Sequence, residues 1–284
     1  MTPLSYTQWL QQAAVALEAL AAVDPMVDVR LEARRLLADV LNISPTALMT
    51  RLPDPLPIPA QQQLAQALTR RLTGEPLAYI TGRWWFWDLE LEVAPCTLIP
   101  RPDTELLVEQ ALALPLPTQA KVLDLGTGTG AIALALANSR PDWQVTAVDF
   151  HADAVALASR NRERLGLHNC RVLQSDWYQA LHGGQFDLIV SNPPYIDAAD
   201  PHLQQGDVRF EPASALVAPE QGLADIAQIC AGAVQHLQPH GWLWLEHGYQ
   251  QAEAVQQLLR QVGLTNVTSK RDYGGQWRIT GGQR

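Results

Sequence analysis

The sequence predicts an α/β protein in which a doubly wound, mostly parallel sheet follows an N-terminal helical segment. Two observations support this prediction. From Lys121 onward, short apolar runs typical of buried strands alternate with longer segments of helical periodicity. Before residue 80, apolar residues instead recur at helical spacing. The 284 residues are enough for about two domains.

Composition excludes several classes of protein. With 47% hydrophobic and 17% charged residues, the chain can form a packed core, which excludes global disorder. Its 20 basic and 29 acidic residues give a net charge of −9, so broad nucleic-acid binding is not expected. No apolar run is long enough for a membrane helix, and no signal-peptide pattern is present. Three separated cysteines fit a reducing, cytoplasmic setting.

The N-terminal segment is predicted to form a small group of helices. Apolar periodicity indicates two helices, and Ser44 followed by Pro45 predicts the N-cap and first position of a third. Alternating prolines over 53–59 predict an extended connector, and a further helix over 60–73 is expected to end at Gly74. The segment is either a recognition module or a helical cap, and the sequence leaves both interpretations open.

After residue 80 the pattern becomes that of strands. Residues 84–87, Trp-Trp-Phe-Trp, are followed by alternating apolar and acidic residues, which predicts a strand of a hairpin. The tryptophans are interpreted as core or interface packing, with a binding surface as the alternative.

The rest of the chain alternates between strands and helices. Strands are predicted at 122–125, 144–148, 171–173, 186–190 and 242–245, with a closing pair at 267–268 and 277–280. Helices are predicted at 131–138, 152–165, 223–237 and 252–262.

A glycine-rich loop follows the first of these strands. Its residues are Gly126, Thr127, Gly128, Thr129 and Gly130. Glycine permits a sharp turn and the close approach of a ligand, and the loop also fits the dinucleotide pattern G-x-G-x-x-G/A. The loop therefore predicts a ligand site but does not by itself identify the ligand.

Two acidic residues narrow the choice of ligand. Asp149 ends the second strand, where a carboxylate suits a ribose diol in dinucleotide and S-adenosylmethionine sites alike. Asp124 lies in the strand just before the loop and is expected to brace it by accepting hydrogen bonds from backbone amides. Together with the threonines of the loop, these acids favour a ligand other than a nicotinamide dinucleotide.

The strand at 186–191 runs directly into Asn192-Pro193-Pro194-Tyr195. If this strand lies beside the first, the tetrapeptide stands where ligands bind in doubly wound sheets. The Asn192 side-chain oxygen and the Pro193 carbonyl can each accept one hydrogen of a planar NH₂ group, and Tyr195 can stack on it. The tetrapeptide predicts N-methylation of a planar amine or amide, and adenine, guanine and glutamine all fit.

At these residues the chain resembles the release-factor glutamine N5-methyltransferases, the PrmC/HemK family. Further segments carrying the resemblance are 74–76, 79–82, 98–105, 174–177, 207–212 and 245–248. The resemblance implies a doubly wound seven-stranded, Rossmann-like methyltransferase domain at 97–284. It also implies a helical-bundle domain at 1–80 that recognises the substrate, and a β-hairpin linker at 81–96.

The resemblance also implies functional residues. S-adenosylmethionine would be held by residues 126–130 together with Asp149, Asp176, Trp177 and Asn192. The substrate amide would be held by the catalytic residues Asn192, Pro193, Pro194 and Tyr195. The implied substrate is the glutamine of the Gly-Gly-Gln motif in class I peptide chain release factors, which act in translation termination. No metal, membrane or stable nucleic-acid partner is expected.

Two other functions are weighed. Adenine-N6 methyltransferases acting on nucleic acid use the same tetrapeptide, but residues 1–80 contain six arginines against seven acids, which is no basic arm. A cofactor-binding module without turnover is the second alternative, and the presence of both Asn192 and Pro193 weighs against it.

Some residues keep two interpretations. Four charged residues are expected either to approach the cofactor or to form ion pairs and helix caps: Arg101, Glu105, Arg209 and Glu211. Gly-Gly-Gln also occurs in this chain, at 274–276 and 281–283. It is interpreted as coincidence in a glycine-rich tail, with a frayed terminus acting as a weak pseudo-substrate as the alternative.

Overall fold

The computed structural model describes residues 4–22 and 27–284, which form two compact units. One unit contains the described residues up to Arg83 together with Gln204–Phe210, and the other contains Trp84–Leu203 and Glu211–Arg284. Each unit has its own hydrophobic core. Within the described residues, no helix is both long and apolar enough to span a bilayer.

The first unit is helical, as its periodicity predicts. Its helices are α1 (Tyr6–Ala21), α2 (Val29–Val40), α3 (Pro45–Arg51), α4 (Ile58–Leu72) and α5 (Leu77–Thr81). The predicted N-cap is confirmed, since Ser44 Oγ accepts a hydrogen bond from Ala47 N at 3.2 Å. Buried Arg71 of α4 donates to both carboxylate oxygens of Glu32 on α2, at 2.7 and 3.0 Å, and so ties the two helices together.

The extended connector predicted over 53–59 is too long by two residues. Helix α4 begins at Ile58, and Pro59 lies in its first turn. Proline lacks the backbone N–H that the first turn of a helix leaves unbonded anyway, so it fits there without loss. Before the helix, Leu56 is fully buried in the core and its backbone nitrogen donates to the carbonyl of Leu4 at 2.7 Å.

The predicted hairpin is present as a two-stranded sheet of β1 (Arg83–Phe86) and β2 (Leu89–Glu92). The aromatic cluster is divided between core and surface. Phe86 is buried in the core of the second unit, whereas Trp85 is exposed.

The second unit contains a seven-stranded sheet in the order β5-β4-β3-β6-β7-β9-β8, which confirms the predicted fold class. The strands are β3 (Lys121–Leu125), β4 (Gln144–Asp149), β5 (Cys170–Gln174), β6 (Phe186–Ser191), β7 (Leu237–Glu246), β8 (Thr265–Arg271) and β9 (Trp277–Gln283). The first five in this order are parallel, and β9 runs antiparallel between β7 and β8. The closing pair and the position of β6 beside β3 are thus also confirmed.

Helices cover both faces of this sheet. They are α6 (Glu105–Ala113), α7 (Ala131–Ser139), α8 (Ala152–Leu165), α10 (Ala224–His236) and α11 (Ala252–Gln261). The four-residue segment α9 (Pro219–Gly222) is a single turn in which Glu220 and Gln221 have positive φ angles. Successive residues of a strand point to opposite faces, so Val122 belongs to the core containing α6 and α7, and Leu123 to the core containing α10 and α11. Burial of both faces explains why most residues of β3 and β6 are apolar and do not alternate with polar ones.

The alternative of a frayed C-terminal tail is wrong. Residues 281–283 belong to β9, where Gly281 lies opposite Trp244 of β7. Because β9 is bonded on both sides, its backbone is held along this segment. The other Gly-Gly-Gln, at 274–276, lies in the exposed turn between β8 and β9.

Candidate active site

A cavity of about 370 Å³ opens at the carboxyl ends of β3, β4 and β6. Strand β3 is the switch point of the sheet, since the chain continues to β4 on one side of it and β6 lies on the other. Nine of the residues predicted to form the site line this cavity: Gly126, Thr127, Gly128, Thr129, Asp149, Asp176, Trp177, Asn192 and Pro194. Gly130, Pro193 and Tyr195 are not among the lining residues.

The glycines of the loop have two different roles. Gly126 and Gly128 line the cavity with positive φ angles of 69° and 55°, a conformation that glycine adopts without a steric penalty. A Cβ at Gly126 would stand 3.6 Å from the Trp177 indole and would occupy space beside that ring. Gly130 instead precedes α7, where a Cβ would come within 2.9 Å of Leu134. Gly130 therefore permits close helix packing, and the other two leave room for a ligand.

Asp124 holds the glycine loop in place through hydrogen bonds, as predicted. It is fully buried, and its Oδ2 accepts hydrogen bonds from Thr127 Oγ1 at 2.6 Å and Ala133 N at 3.2 Å. Its Oδ1 is buried without a hydrogen-bond partner among the described residues. Desolvation raises the pKa of Asp124 to about 7, because burial penalises the charged form more than these hydrogen bonds favour it.

Asp149, at the end of β4, connects that strand to the glycine loop. One carboxylate oxygen accepts from Gly128 N at 2.9 Å, and the other accepts from His151 N, also at 2.9 Å. These two bonds fix the plane of the carboxylate at the cavity wall. Each oxygen keeps further acceptor capacity, as binding a diol requires.

Trp177 and Asp176 follow β5 in a tight turn. Trp177 has a φ of 44°, an uncommon value for a residue with a side chain. Ser175 holds this conformation by donating from its hydroxyl to the Trp177 carbonyl at 2.8 Å. The Asp176 carboxylate accepts from Gln179 Nε2 at 2.8 Å. The turn thereby presents a flat indole surface and a carboxylate to one cavity.

Asn192 follows β6 and has a defined amide orientation. Its Nδ2 donates to Thr104 Oγ1 at 3.0 Å, which leaves Oδ1 as the acceptor end of the amide. Just before it, Ser191 donates from its hydroxyl to the Leu125 carbonyl at 2.7 Å and joins β6 to β3. An amide oxygen is therefore held at the carboxyl edge of the sheet by contacts on both sides of the residue.

The rest of the tetrapeptide is divided between the cavity and the core. Pro194 lines the cavity, whereas Pro193 is buried. The Tyr195 hydroxyl donates to Glu246 Oε1, 3.1 Å away at the end of β7. Burial raises the pKa of Glu246 to about 7, and burial also raises the pKa of Tyr195 above its usual value.

The ion-pair interpretation is confirmed for Arg101 and Glu211. Arg101 lines the cavity and donates to the buried Glu211 carboxylate at 2.6 Å. Glu105 accepts a hydrogen bond from the backbone nitrogen of Trp87 at 2.9 Å. Arg209 lies in the first unit and is not a lining residue.

Sequence reasoning missed residues that reach the site from outside the loop and the tetrapeptide. Thr104 contacts Asn192 directly, and Phe150 lines the cavity with most of its ring exposed. Only their positions in the sequence could have identified these two residues. Phe150 directly follows Asp149, and Thr104 lies in the segment 98–105, which carries part of the family resemblance.

Two family models match different parts of the chain. Residues 102–273 match the family model of the methyltransferase small domain, and residues 8–82 match that of the PrmC N-terminal domain. The release factor glutamine methyltransferase of Escherichia coli K12 is 51% identical over 280 residues, which cover 99% of each chain. That of Pseudomonas aeruginosa is 56% identical over 255 residues, covering 89% of this chain and 92% of the relative.

Solved structures show the same fold at low identity. A methyltransferase from Pyrococcus furiosus superposes with a TM-score of 0.54 at 21% identity, covering 77% of this chain and 98% of that one. The hMettl16 catalytic domain gives a TM-score of 0.56 at 16% identity, covering 79% and 81%. These two similarities concern the fold alone.

Proposed function

The chain belongs to the release factor glutamine methyltransferase family, and on this premise we propose that it methylates the side-chain amide nitrogen of a glutamine in peptide chain release factors. The methyl donor is S-adenosylmethionine, and the target is the Gly-Gly-Gln glutamine of class I factors. One observation carries the proposal to this chain: Asn192 lines the cavity with its amide nitrogen bonded to Thr104. An acceptor oxygen thus remains for an incoming NH₂ group.

The residues at the cavity fit S-adenosylmethionine. Gly126 and Gly128 leave the wall of the cavity without side chains, so the methionine part can lie against the loop. The Asp149 carboxylate can accept from the ribose hydroxyls, and Trp177 with Asp176 offers an apolar surface and a carboxylate to the adenine. When bound, the cofactor supplies an electrophilic methyl group.

The protein orients the substrate and accepts its hydrogens. A glutamine amide nitrogen is a poor nucleophile because its lone pair is delocalised into the carbonyl. In the proposal, Asn192 Oδ1 accepts one N–H and the Pro193 carbonyl accepts the other. Both acceptors act more strongly as the nitrogen becomes positive, which lowers the barrier. In the transfer the amide nitrogen would form a bond to the methyl carbon as the bond from that carbon to the donor's sulfur breaks, with S-adenosylhomocysteine as the leaving group. The nitrogen would then release one proton to water. Because the proton leaves after the methyl group has been transferred, no strong base is needed beforehand.

The proposal also assigns a role to each part of the chain. Residues 1–80 recognise the release factor, 81–96 form the linker and 97–284 carry out the methylation. The match of residues 8–82 to the PrmC N-terminal domain supports the first assignment. Because release factors act at the ribosome, we place the enzyme in the cytoplasm.

Transfer of labelled methyl from S-adenosylmethionine to a purified release factor tests the proposal. The full chain should label the wild-type factor and leave a factor whose Gly-Gly-Gln glutamine is changed to alanine unlabelled. Bulk nucleic acid is included as an alternative acceptor. Label on the nucleic acid alone, or equal label on the alanine variant, would show that the substrate is assigned wrongly.

A further inference from the structure

A strained turn lies behind the tetrapeptide 192–195. In α9, Glu220, Gln221 and Gly222 have successive φ angles of 56°, 58° and 82°. Residues with side chains rarely adopt positive φ angles, and two in succession cost free energy that surrounding contacts must offset. The turn joins two stretches that line the cavity, residues 214–215 before it and α10 after it. Its conformation therefore affects the shape of the site.

The turn packs directly against the last residue of the tetrapeptide. A Cβ placed on Gly222 would stand 2.0 Å from the Tyr195 carbonyl oxygen, so the two backbones are in close contact. The contact continues along the chain, because Ile196 N donates to the Leu216 carbonyl at 2.9 Å and Ala218 N donates to the Ile196 carbonyl at 3.1 Å. These bonds keep the chain after the tetrapeptide beside the segment that leads into the turn.

Gln251 joins the turn to the tetrapeptide. It lies immediately before α11, and its Nε2 donates to the carbonyls of Tyr195 and Gln221, each at 3.0 Å. Its Oε1 accepts from Gly248 N at 2.8 Å. These three bonds define the orientation of the amide, since a reversed amide would set its oxygen against two carbonyl oxygens and its NH₂ against an N–H.

The carbonyl that Gln251 holds is two residues beyond the Pro193 carbonyl. The rings of the two prolines fix their φ angles, and neither residue has an N–H with which to bond the surrounding backbone. The path between Asn192 and Tyr195 therefore has few free rotations. Its first end leaves β6, which is bonded on both sides, and Gln251 holds its second end. With both ends held, the segment points the Pro193 carbonyl in one direction.

We propose that Gln251 is a positioning residue of this active site: by holding the Tyr195 carbonyl against the strained turn, it sets the direction in which the Pro193 carbonyl meets the substrate amide. The inference rests on the proposed function, because it concerns an acceptor of the same reaction. Gln251 is not a lining residue of the cavity, so it acts through Tyr195. It therefore affects methyl transfer and leaves the proposed cofactor site at the glycine loop unchanged.

Two variants of Gln251 remove this hold. Gln251→Glu keeps the size and the acceptor for Gly248 N but sets carboxylate oxygens against two carbonyls, and Gln251→Ala removes the amide. Each is expected to lower kcat for transfer to the release factor roughly 10-fold or more, as misplacement of a group at the reacting centre does. The KM for S-adenosylmethionine should change little. Both variants keep the bonds of Ile196, so the tetrapeptide stays in a folded protein.

Gln283 provides a matched control. Its amide is also bonded at both ends, since Nε2 donates to the His240 carbonyl at 3.0 Å and Oε1 accepts from Asn266 Nδ2 at 2.9 Å. Gln283 is the last residue of β9 and is not a lining residue of the cavity. Gln283→Glu makes the same chemical change and should leave kcat at the wild-type level. Melting temperature and S-adenosylhomocysteine affinity are recorded for all three variants.

A single carbonyl signal tests the positioning without turnover. Pro193-Pro194 is the one Pro-Pro pair in the sequence, so protein labelled with ¹³C and ¹⁵N only in proline contains one labelled carbonyl carbon bonded to a labelled nitrogen. Carbon-detected NMR that correlates the two nuclei therefore observes the Pro193 carbonyl alone. In protein bound to S-adenosylhomocysteine, this signal should shift in Gln251→Glu and Gln251→Ala and stay in place in Gln283→Glu.

The outcomes distinguish the two proposals. A wild-type kcat in both Gln251 variants, an unmoved Pro193 signal, or a loss of kcat that only follows melting temperature would overturn the positioning role. If the wild type transfers no methyl to the release factor, the proposed function fails. The Pro193 signal alone then supports or overturns the hold of Gln251 on the tetrapeptide.

Discussion

The carboxylate of Asp149 accepts a hydrogen bond from the backbone nitrogen of Gly128 at 2.9 Å. The bond joins the end of β4 to the glycine loop that follows β3. The acid proposed to receive the ribose therefore also holds the loop proposed to receive the methionine part. A change at Asp149 is expected to affect both halves of the cofactor site.

Asp149→Asn tests this coupling. One of the two backbone N–H groups bonded to the carboxylate would face an NH₂ donor, and the charge offered to the ribose would be lost. We expect the Kd for S-adenosylhomocysteine to rise roughly 10- to 100-fold, as for a charge-assisted hydrogen bond. Titration calorimetry measures it, with exposed Asp142→Asn as the control. Equal affinity in the variant and the wild type would show that Asp149 does not contribute to cofactor binding.

Asn192→Ala separates catalysis from cofactor binding. Removing the amide leaves the substrate NH₂ without its side-chain acceptor, so methyl transfer should fall by roughly 100-fold or more. The glycine loop and Asp149 stay in place, so the affinity for S-adenosylhomocysteine should change far less. Single-turnover transfer and calorimetry on the same preparation measure the two effects. Activity near that of the wild type would refute the mechanism.

Gly281→Ala tests the packing of the C-terminal strand. A Cβ at Gly281 would come within 2.2 Å of the Trp244 ring and 2.7 Å of the Leu243 carbonyl, which cannot be accommodated without movement of the sheet. We expect the free energy of unfolding to fall by about 1–3 kcal/mol or more. Denaturant titration followed by tryptophan fluorescence measures the loss. Gly274→Ala in the exposed turn should change little, and equal stability of both variants would contradict the packing argument.

Asp124→Asn tests the buried carboxyl through pH. The folded-state pKa of about 7 lies above the ordinary value of 3.8, so the protonated form stabilises the fold. That contribution is complete below pH 3.8 and is lost as the pH rises through 7. The variant should therefore gain stability relative to the wild type as the pH rises from about 4 to about 7, by up to about 4 kcal/mol at 1.36 kcal/mol per pKa unit. Asp142→Asn should show no such trend, and a constant difference for Asp124→Asn would contradict the raised pKa.

Much of the fold was predictable because its signals are local. Buried parallel strands are short apolar runs. A serine N-cap marks the start of a helix, and a glycine such as Gly166 marks its end, each within a few residues. Boundaries were less secure where a residue fits two structures. Pro59 opens a helix although it reads as part of an extended connector, and Leu237 begins β7 although its spacing continues α10.

The sequence by itself determined the doubly wound α/β class, because strands and helices alternate along it. It also determined the glycine loop, the acid at the end of β4 and the tetrapeptide after β6, because each is a pattern within one strand and the loop that follows it. Only the tertiary structure decided that Thr104 orients Asn192 and that Tyr195 bonds to Glu246. These partners are 88 and 51 positions apart in the chain, and their contact depends on how separate strands and helices pack. Hydrogen-bond direction is set by such neighbours, and no local pattern of residues records it.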